Sequence, residues 1–275
     1  MFKKLLISAV SALLLAGCSQ PKIYKYSETI YRTYPTDATV DNIDYISVEN
    51  AVGDIEILGW DNTTVEIAIE KKTDMFEDEL LKAKGEITIE DDVLKIKTVY
   101  FETLGDPKVS VKYVIKTPRN IIVRRAEVVT GNISIEDVSV DLIKSESGVI
   151  TLNKVGYVTT ISGTTTVINI NTADYIKSVS NITGSISLKG VKRFETIKNT
   201  SGTIEAEVLD DAVYKNIESV TGNVDLKIKD ELSLNLNLKT STGIITNEFD
   251  SNIIGDGATT LYVKVTTGSI YIHKI

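Results

Sequence analysis

Apolar and polar residues alternate with a period of two along much of this chain. In the first part the alternation runs through Tyr45-Ile46-Ser47-Val48, Asp54-Ile55-Glu56-Ile57, Val65-Glu66-Ile67-Ala68-Ile69, Ile87-Thr88-Ile89, Val93-Leu94-Lys95-Ile96 and Val109 to Lys116. Successive side chains on a strand point to opposite faces, so each run predicts a half-buried strand. Asp91-Asp92 between two of the runs predicts a hairpin turn, and the turn Gly59-Trp60-Asp61-Asn62 precedes the run from Val65. One stretch departs from this rhythm. From Asp74 to Lys84 the apolar residues Met75, Phe76, Leu80, Leu81 and Ala83 fall near helical spacing, with Thr73 or Asp74 placed to cap and Gly85 placed to stop. That pattern predicts one short amphipathic helix over 74–84.

After Pro118 the pattern becomes repetitive. A Ser or Thr is followed by Gly at Gly131, Gly148, Gly163, Gly184, Gly202, Gly222, Gly243 and Gly268, in steps of 17, 15, 21, 18, 20, 21 and 25 residues. The residue two places after the Gly is Ile133, Ile150, Ile186, Ile204, Val224, Ile245 or Ile270, with Thr165 the exception. Four places after it come Ile135, Leu152, Val167, Leu188, Ala206, Leu226 and Ile272, with Asn247 breaking the series. Stacked units at this spacing would bury two aliphatic ladders, each large side chain contributing roughly 1.5 to 3 kcal/mol. Glycine suits a tight corner or a close approach of backbones, and a preceding hydroxyl can bond a turn amide. All four prolines (Pro21, Pro35, Pro107, Pro118) lie at or before residue 118, which leaves the repeat region free to donate every amide to a ladder. The alternative of plain hairpin turns in an antiparallel sandwich fits less well, because tight hairpins prefer Asn-Gly or Asp-Gly and sandwich turns recur every 8 to 12 residues or so.

The predicted fold is all-β: a parallel right-handed β-solenoid over 121–275, preceded by a β-rich capping region over 41–120 that contains the short helix. Residues 18–40 are read as a tether and a first strand, and 1–17 as a lipoprotein signal peptide. In that peptide Lys3 and Lys4 precede an apolar run from Leu5 to Leu15, too short to span a membrane. Its end, Leu15-Ala16-Gly17-Cys18, resembles the lipobox of bacterial lipoproteins, whose cysteine is acylated after cleavage. Cys18 is the only cysteine in the chain, so no internal disulfide competes for it. Several acyl chains on one cysteine hold a protein firmly to a bilayer. Cleavage before Cys18 removes Lys3 and Lys4 and leaves 28 basic against 38 acidic residues, a net charge of −10. An acidic chain without a basic cluster disfavours nucleic acid as a partner. The expected address is the cell envelope, on the outer side of the cytoplasmic membrane; in a bacterium with two membranes, Ser19 resembles the pattern for export to the outer one.

The order of the string Ile46-Ser47-Val48-Glu49-Asn50-Ala51-Val52-Gly53-Asp54-Ile55-Glu56-Ile57-Leu58-Gly59-Trp60-Asp61, the helix, Tyr113-Val114-Ile115-Lys116-Thr117-Pro118-Arg119 and the Ser/Thr-Gly repeats resembles the bacterial putative adhesin family over nearly all of residues 40–275. The resemblance implies a β-solenoid domain of unknown function found in lipoproteins and envelope proteins. The chain departs from regular members at Thr164-Thr165-Thr166 and around Gly255-Asp256-Gly257.

Candidate chemistry is sparse. His273, near the end, is the only histidine and is expected to face solvent on the last strand. A Ser-His-Asp mechanism needs a positioned base, and no motif marks a Ser-Lys variant. Zinc and copper sites call for several Cys or His ligands; no metal and no cofactor is expected. The acids Glu77-Asp78-Glu79, Glu90-Asp91-Asp92 and Asp210-Asp211 read as solvated turns rather than as carboxylates converging on a glycosidic bond. The expected role is therefore a non-catalytic, lipid-anchored envelope module for binding, adhesion or scaffolding, with envelope polysaccharide or another envelope protein as partner. An accessory or sensing role in envelope stress, and a polysaccharide-active enzyme, are the alternatives. The last strand, ending at Ile275, is expected to form the exposed edge, guarded by His273 and Lys274.

Overall fold

The computed structural model describes residues 24–36, 42–101, 107–210 and 216–275, and among them it is almost entirely β-structure. The strands are β1 Tyr26–Pro35, β2 Tyr45–Val52, β3 Ile55–Trp60, β4 Thr64–Thr73, β5 Ala83–Glu90, β6 Val93–Tyr100, β7 Ser110–Pro118, β8 Ile122–Thr130, β9 Ile133–Glu136, β10 Val140–Asn153 and β11 Val155–Ile170. There follow β12 Ala173–Thr183, β13 Ile186–Leu188, β14 Phe194–Ser201, β15 Ile204–Val208, β16 Asn216–Thr221, β17 Val224–Ile228, β18 Leu234–Thr242, β19 Ile245–Asn247, β20 Ile253–Ile254, β21 Thr259–Thr267 and β22 Ile270–Lys274.

Most of these strands form two parallel ladders joined at corners, all but one of them glycine. The first runs β6, β2, β8, β10, β11, β12, β14, β16, β21, β18. The second runs β7, β3, β9, β10, β11, β13, β15, β17, β22, β19. The aliphatic column two places past the corner is Ile55, Ile133, Ile150, Ile168, Ile186, Ile204, Val224, Ile270 and Ile245 in spatial order, and every member except Ile245 is buried. Antiparallel strands close the beginning: β5 pairs with β6, and β1 with β4, which pairs with β7. Asp91 and Asp92 make the β5–β6 turn with φ of 52° and 61°.

Four expectations are corrected. First, the repeating rungs do not begin at residue 121. The β2–β3 pair, turning at Gly53 (φ 116°), is already the first rung, and it lacks only the hydroxyl before its Gly. Second, Gly163 is not a corner. It lies inside the continuous β11 without positive φ, and Thr166 is the residue opposite Gly148. The inward positions of that rung are accordingly Ile168 and Ile170, while Thr165 and Val167 face out. Third, the helix is a six-residue 3-10 turn, Glu77–Lys82, rather than an amphipathic helix over 74–84. It buries Leu80, leaves Phe76 and Leu81 exposed, and gives way to β5 at Ala83, so Gly85 sits within a strand. Fourth, the last strand is not the edge. β22 lies between β17 and β19, and β21 between β16 and β18, so the rung turning at Gly243 is outermost.

Candidate binding surface

The corners rest on two locks that hold the rungs in register. Each corner Gly from Gly131 onward has its absent Cβ where the carbonyl of the neighbouring corner lies, and Gly53 faces the Val111 carbonyl of β7 in the same way: at Gly222 a Cβ would overlap the Gly202 oxygen, and φ there is 136°. Three residues before the corner stands an interior column: Asn50, Val128, Ser145, Gly163, Asn181, Asn199, Ser219, Val265 and Thr240. From it Asn199 Nδ2 donates to Gly184 O at 2.8 Å, Asn181 Nδ2 to Thr166 O at 2.7 Å, and Thr240 Oγ1 to Gly268 O at 2.8 Å. Gly163 belongs here because a Cβ would run into Asn181 Oδ1. One residue after the corner, a polar side chain caps the next rung: Asn132 Oδ1 accepts from Val149 N at 3.0 Å, and Asn223 Oδ1 from Ser269 N at 2.9 Å. The Ser or Thr before Gly contributes its backbone carbonyl, as where Gly222 N donates to Thr267 O at 2.9 Å.

Register fixed in this way also fixes what faces outward. On the first ladder near its far end, Asn216, Tyr262 and Asn237 stand side by side on β16, β21 and β18, and two residues along so do Glu218, Lys264 and Lys239. The inward neighbours Ile217 and Val263 are buried, which commits both rows to the surface. Adjacent strands lie about 4.8 Å apart and alternate residues about 7 Å along the strand. The two rows line a shallow groove of about 380 Å³. Tyr262 is half exposed. Lys198 extends the charged row by pairing with Glu218 at 3.1 Å, while Asn216 Nδ2 donates to Glu218 Oε1 at 2.7 Å. Those bonds, Asn216 first and then Lys198, hold the Glu218 carboxyl below its ordinary range. The row thus presents Lys198, Lys264 and Lys239 around a carboxylate that is already satisfied. Sequence reading passed over this grid, although all six residues sit six or four places before Gly222, Gly243 and Gly268; aligning the rungs on their glycines brings them into columns.

Elsewhere on the surface Tyr157 and Tyr175 stack at 5.4 Å with Arg193 5.7 Å from the Tyr175 ring. Tyr175 donates to Glu195 at 2.5 Å, and that bond pushes its pKa up to about 12. At the opposite end a cleft of about 500 Å³ opens between β1 and β5, lined by Ile30, Tyr34, Ile69 and Ile87 with Arg32 and Lys84.

The residues singled out from sequence do not converge. Cys18 lies outside the described residues, as does Asp211. Glu77 and Asp78 are exposed on the 3-10 turn, Glu79 pairs with Lys82 at 2.8 Å, and Glu90 with Lys95 at 2.6 Å. His273 lies on β22, part-exposed, with Nδ1 3.0 Å from Glu248 Oε1 and Nε2 3.5 Å from Asp225 Oδ2. Among the described residues no group of three or more His, Cys, Asp or Glu is placed to hold a metal ion, and no helix is long and apolar enough to cross a membrane.

No protein-family model matches the chain, and no curated protein matches it. Several solved structures are similar at low identity. A putative adhesin from Bacteroides fragilis is 13% identical, covering 89% of this chain and 97% of its own, with a TM-score of 0.48. A putative lipid binding protein from Parabacteroides distasonis is 14% identical, covering 90% and 96%, with a TM-score of 0.42. A putative cell adhesion protein from Clostridium sporogenes is 12% identical, covering 90% and 100%, with a TM-score of 0.34.

Proposed function

We propose that this chain is a non-catalytic, lipid-anchored cell-envelope protein whose rungs wind as a right-handed β-solenoid and whose outer strand face binds an anionic envelope polysaccharide. Parallel strands joined by crossovers are right-handed in about 98% of cases, which supports the winding. Cys18 in its lipobox-like setting supports the anchor. The observation that carries the ligand class is the grid of Asn216, Tyr262 and Asn237 beside Lys198, Lys264 and Lys239. Amide and phenol groups at fixed intervals match the hydroxyls of a sugar chain. The three ammonium groups supply a local positive row on an otherwise acidic molecule. A polymer crossing several rungs gains many shallow contacts without a deep pocket.

The test is binding of the protein to purified anionic and neutral envelope polysaccharides. Lys264→Glu and Tyr262→Ala are each expected to weaken binding to the anionic polymer at least about tenfold, a loss of about 1.4 kcal/mol, with thermal stability retained. Equal binding by the variants and the parent would remove the grid from the ligand site. The anchor is tested separately: Cys18→Ala is expected to release the protein from membranes.

A further inference from the structure

The end of the molecule that holds the antiparallel strands is surfaced differently from the rest. Phe76 is 67% exposed, Leu81 75%, Phe101 46% and Met75 44%. These four are neighbours. Met75 and Phe76 enter the 3-10 turn, Leu81 stands near its end, and Phe101 N donates to Lys82 O at 2.8 Å. Large apolar side chains exposed together, and not scattered singly, mark a surface that something covers. The turn buries only Leu80 of its own residues, which leaves the remaining apolar side chains of this segment on the surface of the described chain.

The start of the described chain reaches the same place. Lys25 N donates to Thr73 O at 3.0 Å, Tyr26 lies opposite Thr73, and Met75 N donates to Thr73 Oγ1 at 3.2 Å. Tyr24 and Tyr26 are part-exposed beside this segment, with Lys72 Nζ 6.0 Å from the Tyr24 ring. Tyrosine and lysine are the residues that settle at a bilayer interface, ring at headgroup depth and ammonium reaching outward. Cys18 precedes Tyr24 by six residues, a reach of at most about 21 Å when extended. An acyl group on Cys18 therefore keeps the bilayer within about 21 Å of Tyr24.

We propose that the tip formed by Met75, Phe76, Leu81 and Phe101 seats on the surface of the bilayer that holds the Cys18 lipid, so that the anchored end is a second contact and the far rungs point away from the membrane. The inference rests on the anchor reading of Cys18. Occupancy by lipid, rather than by a second copy of the chain, follows from that short connection. Glu77 and Asp78 are exposed beside Phe76, so the tip favours zwitterionic over anionic headgroups. The nine rungs from Gly53 to Gly243 span eight strand spacings, or about 38 Å, which carries the Tyr262 grid far from the headgroups.

The experiment uses the full-length acylated chain on phosphatidylcholine vesicles. Acylation occupies the one native thiol, so Leu81→Cys, or Ile244→Cys on the outermost rung as control, offers a single site for a polarity-sensitive dye. Flotation with the vesicles is read first; a chain that does not float overturns the anchor and this inference with it. For a chain that floats, the dye at position 81 is expected to shift to the blue and to be quenched by headgroup-labelled lipid, with neither change at 244 and a smaller shift on phosphatidylglycerol. Floating protein whose dye at 81 stays as wet as the dye at 244 overturns the seating while leaving the anchor intact. A shift at 81 that appears without vesicles and grows with protein concentration assigns the tip to a second copy and also overturns it.

Discussion

At the scale of single residues, most corners combine positive φ with the lack of a Cβ, and several add a polar side chain three residues earlier that ties down the neighbouring corner; Thr166, and the Val128 and Val265 positions, show that no one of these is required at every rung. Gly222 meets the first two, and a side chain there would both strain the backbone and collide with the Gly202 carbonyl. Gly222→Val is expected to destabilise by about 3 kcal/mol or more, read as a shift in the denaturant midpoint at unchanged slope; a loss below about 1 kcal/mol would mean that the corner relaxes. Gly163 has no unusual φ, but a Cβ there would meet both Asn181 Oδ1 and the Thr166 side chain. Gly163→Ala is therefore expected to destabilise on its own and to cost less in a background already carrying Asn181→Ala, with the Thr166 contact keeping part of the loss, whereas Gly222→Ala gains no such relief. Additive losses at 163 and 181 would separate the two sites. The sequence disclosed the glycine column but not which glycines belong to it. Ser162-Gly163 imitates the dipeptide while Thr166 holds the position, and Gly53 holds it with Val52 in front. The signal that separates them is the 18-residue interval linking Gly148, Thr166, Gly184 and Gly202, which a search for Ser/Thr-Gly passes over. The interior Asn column left no trace in hydrophobic patterning, because a buried amide that bonds a backbone carbonyl looks in sequence like any surface polar residue.

At the scale of elements, the corner misplaced at Gly163 put Val167 inside where Ile168 and Ile170 belong, but in the other rungs alternation was enough to find the strands and to tell which side of each faces inward, since a parallel ladder buries one face wherever it passes. Their spatial order was beyond it: rungs with equivalent patterns are interchangeable in sequence, and the segment 248–258 lets the chain travel outward and come back beneath the rung it has just made. One mark of the outcome was present. Asn247 breaks the inner aliphatic column, and a polar residue is tolerated there because no further rung covers it; its amide instead bonds Ser251 O at 3.3 Å and Asn252 Oδ1 at 3.0 Å. The exchanged order makes a prediction opposite to sequence order. Ile270 is fully buried and Ile245 is 43% exposed, so Ile270→Ala is expected to cost about 2 to 5 kcal/mol and Ile245→Ala well under half of that. Amide exchange is expected to be faster in β19 than in β22. Equal protection of the two strands would indicate that another chain covers the outer rung. The helical reading of 74–84 failed for a related reason. Alternate exposure of Phe76 and Leu81 serves a surface rather than the core, and only Leu80 had a buried place to go.

At the scale of the whole molecule, buried phenols in the first rungs and a hydrogen-bonded carboxylate on the outermost rung make the fold sensitive to alkali and to acid at different places. In the first rungs Tyr113 is fully buried, its hydroxyl 2.8 Å from Thr98 Oγ1, which itself donates to Asn50 Oδ1 at 2.8 Å. Burial pushes the Tyr113 pKa up from 10.0 to about 12, and that of Tyr100 likewise. A raised pKa means that the folded state holds the proton more tightly. The resulting stability is complete below about pH 10 and is lost as pH rises towards about 12; for Tyr113 it amounts to about 3 kcal/mol. At the far end Glu248 bridges the outermost rung to β22, accepting from Lys274 N at 3.0 Å and lying 3.0 Å from His273 Nδ1. These bonds, the Lys274 amide first, hold its pKa below the ordinary carboxylate range. The sign reverses: this contribution is present above about pH 4.3 and disappears as pH falls through the depressed value. Alkali is thus expected to loosen the rungs around Tyr113 and Tyr100, and acid the fastening of the outermost rung at Glu248. Amide exchange followed across pH, with tyrosinate absorbance marking the alkaline step, checks both arms. Early loss of β18 and β19 protection in acid should be abolished by Glu248→Gln, which makes that end weaker at neutral pH but indifferent to acid; if the variant keeps the parent's acid response, Glu248 is not the group that fastens the outer rung.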